Sequence, residues 1–368
     1  MRTCYSTVAY IFELSYGCVL GFLMQVLPKS ERREAWFHRV ICKSMRTDIN
    51  HIWGVAHSVR NDHGEDFSRG SVAICNHQSM LDPVYLLALS PRVLVMVGGK
   101  VWRNPIVHTM FRLSRFINAN QPVEVLKEQI GKAVADGYTV VIFPEGRRND
   151  EHITRFHKGA FVLAEEIGAD ILPLYIHGTG NVMPKDSGLA ARGSVHVEIG
   201  KRIPASELHS FGESQQAVAH GFRQMYLKHF QQMKSELEDS HYFHHYVIYK
   251  HTYKGYGVEK ETRRLLRRYD DFSKWIDGYR PDDNPSGVVS VINAGRGQFS
   301  LLFALVHPDV RVCSYTFNAD DAALAESCTP KPANLTVVCC KDETEALQQA
   351  AGTYLLNLSD MLACTEPS

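Results

Sequence analysis

A histidine and an aspartate stand five positions apart, directly after a short apolar run. Asn76 and His77 follow the run Ser71 to Cys75, and Asp82 comes next with Pro83 behind it. A carboxylate at this spacing can hold the Nδ1 side of His77 and leave Nε2 to take a proton from a hydroxyl group. The pair therefore predicts a general base and its orienting carboxylate, without a protein nucleophile. Asp82 has a second interpretation, because aspartate before proline is also a good helix cap.

A second polar cluster closes another apolar run. The run Tyr138 to Phe143 ends in Pro144-Glu145-Gly146-Arg147-Arg148, with Glu145 placed 68 positions after His77. Proline and glycine predict a tight turn that brings the backbone close to a ligand. Arginine side chains bind phosphate oxygens in a bidentate way. The cluster therefore predicts an anion-binding turn, with a simple charged turn as the alternative.

The elements that position these residues predict an α/β domain. Strands are predicted at Ser71 to Cys75, Tyr138 to Phe143, Asp170 to His177 and Ser194 to Ile199, and helices at Val84 to Leu89, Pro122 to Ala135 and Ala160 to Ile167. This alternation predicts a sheet with helices on both faces. Pro173, inside the third strand, predicts an edge, a bulge or a chain end there.

Four ordered blocks between about residues 70 and 205 resemble the glycerolipid (lysophospholipid) acyltransferase family. Asn76-His77 with Asp82 matches the N-H-x4-D block, and Phe143 to Arg148 matches F-P-E-G-x-R, with Arg147 where threonine or serine is usual. Leu172-Pro173-Leu174 matches the apolar-proline block, and Lys100 to Pro105 fits the start of the central block. The resemblance implies an acyltransferase-type mixed sheet flanked by helices.

The resemblance also implies roles. His77 would deprotonate the acceptor hydroxyl, Asp82 would orient His77, and the hydroxyl would attack the thioester of acyl-CoA or acyl carrier protein. No other cofactor and no metal is expected. Residues implied in substrate binding are Asn76, Lys100, Glu145, Gly146, Arg147, Arg148 and Lys158.

The central block departs from the family. His108 stands where glycine is common, and Asn118 to Gln121 stands where an arginine is expected. Arg112 and Arg115 are candidates to replace that arginine from a helix. We expect a lysophospholipid acceptor, 1-acylglycerol-3-phosphate first, with another bacterial lipid or pigment as the alternative.

The N-terminal region predicts membrane association. Residues 8–27 are largely apolar, and Lys29, Arg32 and Arg33 follow. We expect a helix that lies on or dips into the cytoplasmic face of the bacterial inner membrane, with its basic flank at the lipid surface. A buried soluble helix is the alternative. A second helix is predicted from Ala35 to Met45, with the Trp36-Phe37 pair in an interfacial position.

The amino-acid composition bears on nucleic-acid binding, on the redox state of the cysteines and on metal binding. Forty basic residues balance forty acidic ones, which does not favour a nucleic-acid partner. Nine cysteines without a CxxC pair indicate reduced thiols in a cytosolic setting. The eighteen histidines show no metal-binding spacing.

The C-terminal part predicts a second α/β unit. A strand from Val288 to Ala294 leads into Gly295-Arg296-Gly297 and a helix, Leu301 to Val306. Further strands are predicted at Val310 to Phe317, Leu335 to Cys340 and Thr353 to Leu358. The segment resembles the first half of a class I methyltransferase that uses S-adenosylmethionine (SAM), without the acidic residue that would hold the ribose.

We therefore expect a degenerate, truncated Rossmann-like domain that does not bind SAM. The predicted division is 1–50 for N-terminal membrane-associated helices, 51–205 for the acyltransferase domain, 206–280 for a helical linker and 281–368 for the Rossmann-like domain. Within the linker a helix from Val258 to Ile276 is predicted, with Trp275 on its buried side. A methyltransferase targeted to lipid by its N-terminal domain and a non-catalytic lipid-binding scaffold are the alternatives.

Overall fold

The chain divides into two compact units. They are Met1–Gln232 and Met233–Ser368. The structure, a computed structural model, describes residues 16, 19–24, 26–51, 54–98, 102, 105–149, 152–184, 193–243 and 269–359.

The first unit is built on a seven-stranded sheet. Its strands are β1 (Val55–Arg60), β2 (Ser71–Cys75), β3 (Val93–Val97), β4 (Ile117–Asn118), β5 (Thr139–Ile142), β6 (Ile171–His177) and β7 (Gly193–Ile199). Their spatial order is β1-β7-β6-β2-β5-β3-β4. Only β6 and β7 run antiparallel to each other, and the other neighbours are parallel. The predicted mixed α/β sheet is thus confirmed.

Helices alternate with these strands. They are α1 (Glu31–His51), α2 (Asp82–Leu89), α3 (Pro105–Leu113), α4 (Val123–Ala135), α5 (Gly159–Glu166), α6 (Thr179–Val182) and α7 (Gln215–Leu237). The central strands β2, β5 and β6 are buried at every position. Parallel strands covered on both faces read as continuous apolar runs, which is why the sequence predicted them.

Pro173 lies in an interior strand, so of the three predicted settings, an edge, a bulge or a chain end, the edge is excluded. Its carbonyl accepts a hydrogen bond from the Gly200 amide at 2.9 Å, on the side that faces β7. The ladder between β6 and β7 begins one residue later, where Leu174 pairs with Ile199. A residue without an N–H is tolerated because no ladder bond is needed at this point.

The N-terminal region is described in part. Residues 19–24 are helical, and Phe22 and Leu23 are exposed there while Met24 is buried. The predicted helix at Ala35 to Met45 lies within the longer α1. Its Trp36-Phe37 pair is split, because Trp36 is exposed and Phe37 is fully buried. Among the described residues, no helix is long and apolar enough to cross a bilayer.

Helix α7 as far as Gln232 packs in the core of the first unit, whereas the sequence predicted a linker over 206–280. Phe222, Tyr226 and Phe230 are buried at successive turns of α7. The Tyr226 ring packs on Phe156 and Tyr175, with centroid distances of 5.3 and 4.3 Å. A helix that buries one apolar stripe in this way is held by tertiary packing.

The second unit contains a four-stranded parallel sheet. Its strands are β8 (Val288–Ile292), β9 (Arg311–Thr316), β10 (Leu335–Cys339) and β11 (Tyr354–Asn357), in the spatial order β10-β9-β8-β11. The helices are α8 (Tyr269–Asp277), α9 (Gln298–Val306), α10 (Ala319–Glu326) and α11 (Glu343–Gln349). Every strand predicted from the sequence is present, within two residues at each end. Of the helix predicted from Val258 to Ile276, residues 258–268 lie outside the described part, and Trp275 is 38% exposed rather than buried.

The turn after β8 has the backbone that its glycines predict. Gly295 and Gly297 have φ values of +52° and +76°, a conformation that side chains rarely adopt. At the end of β9, the Asn318 side chain accepts hydrogen bonds from the amides of Asp320 and Asp321 and caps α10. The Arg296 Nε atom lies 3.0 Å from an Asp321 carboxylate oxygen.

Candidate active site

Three neighbouring strands end at the same edge of the first sheet. The order β6-β2-β5 places β2 between the other two, and all three are parallel. The carboxyl end of β2 leads into His77, that of β5 into Phe143 and that of β6 into Gly178. Polar residues that are far apart in the chain therefore meet at one edge, where open α/β sheets bind ligands.

His77 and Asp82 form the predicted pair. The Nδ1 atom of His77 lies 2.7 Å from Oδ2 of Asp82. The Asp82 side chain is fully buried, while that of His77 is 17% exposed. With Nδ1 donating to the carboxylate, Nε2 is the acceptor nitrogen of a neutral imidazole. This is the geometry of a general base with an orienting acid.

Asp82 is not the N-cap of α2. Leu81 occupies that position, and no side chain caps the helix. The carboxylate turns back instead, and Oδ2 accepts hydrogen bonds from the amides of Gln78 at 2.6 Å and Ser79 at 2.9 Å. These bonds fold the chain around the carboxylate and bring it to His77. The spacing of five residues is thus what this tight loop requires.

The His77 imidazole is also held by its neighbours. Its ring stacks on Phe143, with a centroid distance of 4.1 Å and an interplanar angle of 19°. The His77 carbonyl accepts a hydrogen bond from the Asn149 amide at 2.8 Å. The ring stacking and this backbone hydrogen bond thereby join the chain segments after β2 and β5 at His77.

Glu145 points into the protein. Its side chain is 4% exposed, and Oε1 accepts a hydrogen bond from the His77 amide at 2.9 Å. Oε2 accepts from the amide and the hydroxyl of Thr154, at 2.6 and 2.8 Å. Because both oxygens are engaged, this geometry favours positioning of His77 over the predicted contact with the substrate.

Asn76 is also engaged internally, in contrast to its predicted contact with substrate. The side chain is fully buried. Its amide group donates to the Ile176 carbonyl at 2.9 Å and accepts from the Ile176 amide at 3.0 Å. The side chain thereby joins the end of β2 to β6.

The turn after Pro144 presents the basic residues. Gly146 has φ +69° and is exposed, as is Arg147, and Arg148 is half-buried. Lys158 is exposed one residue after His157, whose amide donates to the Pro144 carbonyl at 2.8 Å. Within the described part of the chain, no ion pair engages the side chains of Arg147, Arg148 and Lys158. These three cations are therefore available to an anion.

Arg112 and Arg115, the two candidates to replace the missing central arginine, lie in different surroundings. Arg112 is exposed in the last turn of α3. Arg115 lies beyond that helix, with φ +61°, and its guanidinium sits 5.0 Å from the Tyr138 ring centroid and 4.0 Å from Asp136. Both partners precede β5, at the sheet edge opposite His77, so Arg115 does not replace the arginine. Lys100 lies outside the described residues.

The nearby cysteine is not a nucleophile. Burial raises the pKa of the Cys75 thiol well above its usual value, and the carboxylates of Asp82 and Glu145 raise it further. A protonated thiol is a weak nucleophile. In the described part of the chain, no cluster of histidine, cysteine, aspartate or glutamate could hold a metal ion.

Three site residues were missed by the sequence reasoning. Thr179 follows β6 and donates to Oδ1 of Asp82 at 2.5 Å. Thr154 binds Glu145, and Tyr226 of α7 lies 2.8 Å from the Asn76 side-chain oxygen. Each of the three hydrogen-bonds to a motif residue more than five positions away in the chain. The spacing of residues in the sequence therefore does not indicate these contacts.

A model of a known protein family matches part of the chain. The family model described as Acyltransferase matches residues 58–177. This segment includes His77, Asp82, Glu145 and both arginines of the turn. These comparisons support an acyltransferase domain in this part of the chain.

The relatives are more specific in name. The chain is 32% identical to the chloroplastic 1-acyl-sn-glycerol-3-phosphate acyltransferase BAT2 of Brassica napus over 37% of this chain and 41% of that protein. It is 26% identical to human 1-acyl-sn-glycerol-3-phosphate acyltransferase beta over 44% of this chain and 60% of that protein. The chain thus spans about two fifths of the length of the first curated relatives it matches.

A solved structure shares the fold. It is the 1-acyl-sn-glycerophosphate (LPA) acyltransferase PlsC from Thermotoga maritima, with a TM-score of 0.51 and 19% identity. The match covers 63% of this chain and 96% of that one. At this identity the likeness concerns the fold.

Proposed function

We propose that the protein transfers a fatty acyl group from acyl-CoA or acyl carrier protein to the hydroxyl of a lysophospholipid, 1-acylglycerol-3-phosphate first, in phospholipid synthesis. The observation that carries the proposal is the 2.7 Å contact between His77 Nδ1 and Asp82. It orients a general base next to a turn with unpaired basic side chains. The names of the curated relatives agree with this acceptor.

The proposed reaction has one proton transfer to His77. Nε2 takes the proton of the acceptor hydroxyl while the hydroxyl oxygen attacks the thioester carbonyl. Asp82 stabilises the imidazolium that forms. The tetrahedral intermediate then collapses, the C–S bond breaks, and the imidazolium returns the proton to the leaving thiolate. The ester and the free thiol are the products.

The acceptor proposal depends on charge. Arg147 and Arg148 follow Gly146, and Lys158 lies after the segment that binds Pro144. Guanidinium groups bind phosphate oxygens more strongly than neutral donors do. A lysolipid whose phosphate contacts this turn would have its hydroxyl directed to His77. Another bacterial lipid or pigment acceptor is the alternative, because the central block lacks its usual arginine.

The membrane role remains a proposal. Phe22, Leu23, Val26 and Leu27 are exposed apolar residues, with Val26 86% exposed. The exposed Lys29 and Arg32 follow them in the chain. An apolar surface beside a basic one suits the interface of an anionic bilayer. We infer peripheral or monotopic attachment at the cytoplasmic face of a bacterial inner membrane.

The second unit is proposed to be a Rossmann-like domain of the methyltransferase type without SAM binding. Its strand order, with the first strand between the second and the fourth, supports the first part. The second part rests on Asn318, which stands where the ribose-binding acid is expected and caps α10. Calorimetric titration with millimolar SAM tests the proposal, and saturable binding abolished by Gly297→Val would overturn it.

Product analysis by mass spectrometry tests the acyltransferase function. Purified protein in detergent would receive acyl-CoA or acyl carrier protein donors and a panel of lysolipids. We expect an acylated product from lysophosphatidate, lost in folded His77→Ala. Transfer only to another acceptor would overturn the choice of acceptor. A folded and fully active His77→Ala variant would overturn the mechanism.

A further inference from the structure

We infer that Thr179 is a positioning residue, which extends the His77–Asp82 pair into a hydrogen-bonded chain of three. The inference rests on the proposed function. The Thr179 hydroxyl lies 2.5 Å from Oδ1 of Asp82 and 3.4 Å from Oε1 of Gln78. The hydroxyl donates its hydrogen bond to Asp82, because that contact is the shorter one and its acceptor oxygen is charged. Thr179 lies just outside the segment that matches the family model.

The hydrogen bonds on the Asp82 carboxylate are distributed unequally between its two oxygens. Oδ2 accepts from Nδ1 of His77 and from the amides of Gln78 and Ser79. For Oδ1 the donor is the Thr179 hydroxyl. Because Asp82 is fully buried, an oxygen without a donor would be costly there. Thr179 thus satisfies the half of the carboxylate that faces away from His77.

The hydrogen bond from Thr179 stabilises the charge of the Asp82 carboxylate and also restrains its orientation. The three donors on Oδ2 resist rotation of the carboxylate about its Cβ–Cγ bond. Thr179 holds the second oxygen against the same rotation, so the direction of the bond from Oδ2 to His77 is held from both ends of the carboxylate. The Phe143 ring already fixes one face of the imidazole at 4.1 Å. Together these contacts determine where Nε2 points.

The chain brings Thr179 to this place through a glycine. Gly178 has φ +91°, and a Cβ atom there would lie 1.9 Å from the Ser194 carbonyl oxygen. Only glycine therefore allows the chain to turn here, directly after β6 and beside β7. The same loop is attached a second time, because the Ser79 hydroxyl donates to the Met183 carbonyl at 2.7 Å. Thr179 is thus held rigidly against the loop that carries Asp82.

A positioning role makes a specific kinetic prediction. Misdirection of Nε2 slows proton transfer and leaves the binding of donor and acceptor unaffected. Thr179→Val keeps the shape of the side chain and removes the hydroxyl. We expect kcat to fall about 10- to 100-fold, the range of a hydrogen bond to a charged group. KM for both substrates should remain within about twofold.

The matched control is Thr179→Ser, which keeps the hydroxyl and should restore most of kcat. Thr179→Ala serves as a second hydroxyl-free variant if Thr179→Val does not fold. A folded Thr179→Val or Thr179→Ala protein with unchanged kcat would overturn the inference. So would an equal loss of kcat in Thr179→Ser.

A second measurement does not depend on transfer. Protein with isotope-labelled histidine would be studied by NMR in detergent, with His77→Ala used to assign the ring nitrogens of His77. We expect Thr179→Val to move these signals and Thr179→Ser to leave them in place. If the wild-type protein transfers no acyl group but the signals still move, the proposed function fails and the inference stands. Unmoved signals in folded Thr179→Val would overturn the inference by themselves.

Discussion

The hydroxyl of Tyr226 lies 3.0 Å from the backbone nitrogen of Asn76, 150 positions earlier in the chain. The same hydroxyl is 2.6 Å from the Leu174 carbonyl. One phenol on α7 therefore joins the end of β2, directly before His77, to the middle of β6. One turn earlier, the Arg223 guanidinium donates to the carbonyls of Ile153 and Thr154 at 2.8 and 2.6 Å. Helix α7 thus supports both segments that hold His77.

Tyr226→Phe removes this hydroxyl and keeps the ring packing. The Asn76 amide and the Leu174 carbonyl would lose a buried partner, so we expect the free energy of unfolding to fall by about 1–3 kcal/mol. The rate of acyl transfer should fall as well, because Asn76 precedes the base. Urea unfolding and steady-state kinetics measure the two effects. Tyr175→Phe is the control, since within the described residues its hydroxyl has a single, weak partner, the Met225 sulfur at 3.9 Å. Equal effects of the two substitutions would contradict the role of Tyr226.

Glu145→Gln tests whether this residue positions His77. Both oxygens of the Glu145 carboxylate accept hydrogen bonds, one from the backbone N–H of His77 and the other from Thr154. The side-chain NH2 group of a glutamine would place a donor against one of these two donors. We expect a loss of about 1–3 kcal/mol in the free energy of unfolding and a lower kcat. Glu165→Gln on α5 is the control, since the carboxylate of Glu165 pairs with the exposed His209 at the protein surface. A rise in acceptor KM without any change in stability would instead favour direct contact of Glu145 with the substrate.

Arg147→Gln and Arg148→Gln test the anion-binding turn. If these side chains bind the acceptor phosphate, KM for a phosphate-bearing acceptor should rise about tenfold or more, with a smaller effect on the acyl donor. The salt dependence of that KM should weaken, because exposed charges are screened. Steady-state kinetics over a series of salt concentrations measures both. Arg39→Gln, an exposed position on α1, is the control, and an acceptor KM that stays unchanged in both variants would place the phosphate elsewhere.

The stability of the first unit should depend on His38. Burial lowers the pKa of this histidine from 6.5 to about 4, and its side chain is 1% exposed. In the unfolded chain His38 is protonated below about pH 6.5, whereas in the folded protein it stays neutral down to about pH 4. Stability is therefore complete above pH 6.5 and decreases as the pH falls to about 4, by about 3 kcal/mol from this residue.

His38→Gln should remove this part of the pH dependence. Urea unfolding between pH 7.5 and 4.5 would show a shallower decrease in the variant than in the wild-type protein. The same substitution at the exposed His63 should leave the slope as it is. Parallel slopes for wild type and His38→Gln would show that His38 does not carry the effect.

Much of the fold could be predicted because the central strands are buried on both faces. Strands β2, β5 and β6 were each predicted within one residue, since continuous apolar runs between turn residues leave few other interpretations. The His77–Asp82 pair was predicted from its spacing and from its place directly after an apolar strand. The edge setting proposed for Pro173 failed, since the tolerance of a proline in this interior strand depends on where the pairing with β7 stops.

The roles of the other site residues depend on contacts that local sequence does not encode. Asn76 and Glu145 both looked like ligands for a substrate. Asn76 instead binds the backbone of Ile176, 100 positions later in the chain. Glu145 binds the backbone of His77, 68 positions earlier. Helix α7 was interpreted as a linker because its surface is polar. Its apolar positions Phe222, Tyr226 and Phe230, one turn apart, were the signal that it packs against the sheet.

The distances along the chain that separate the partners in the site have a consequence for synthesis. His77 binds a carboxylate 68 positions later, Asp82 a hydroxyl 97 positions later, and Asn76 a phenol 150 positions later. Contacts of this kind form late, because each one has to close a long loop. The contacts around His77 are therefore complete only after Tyr226 has left the ribosome. Under the proposed function, newly made protein would begin acyl transfer only once the whole first unit is available to fold.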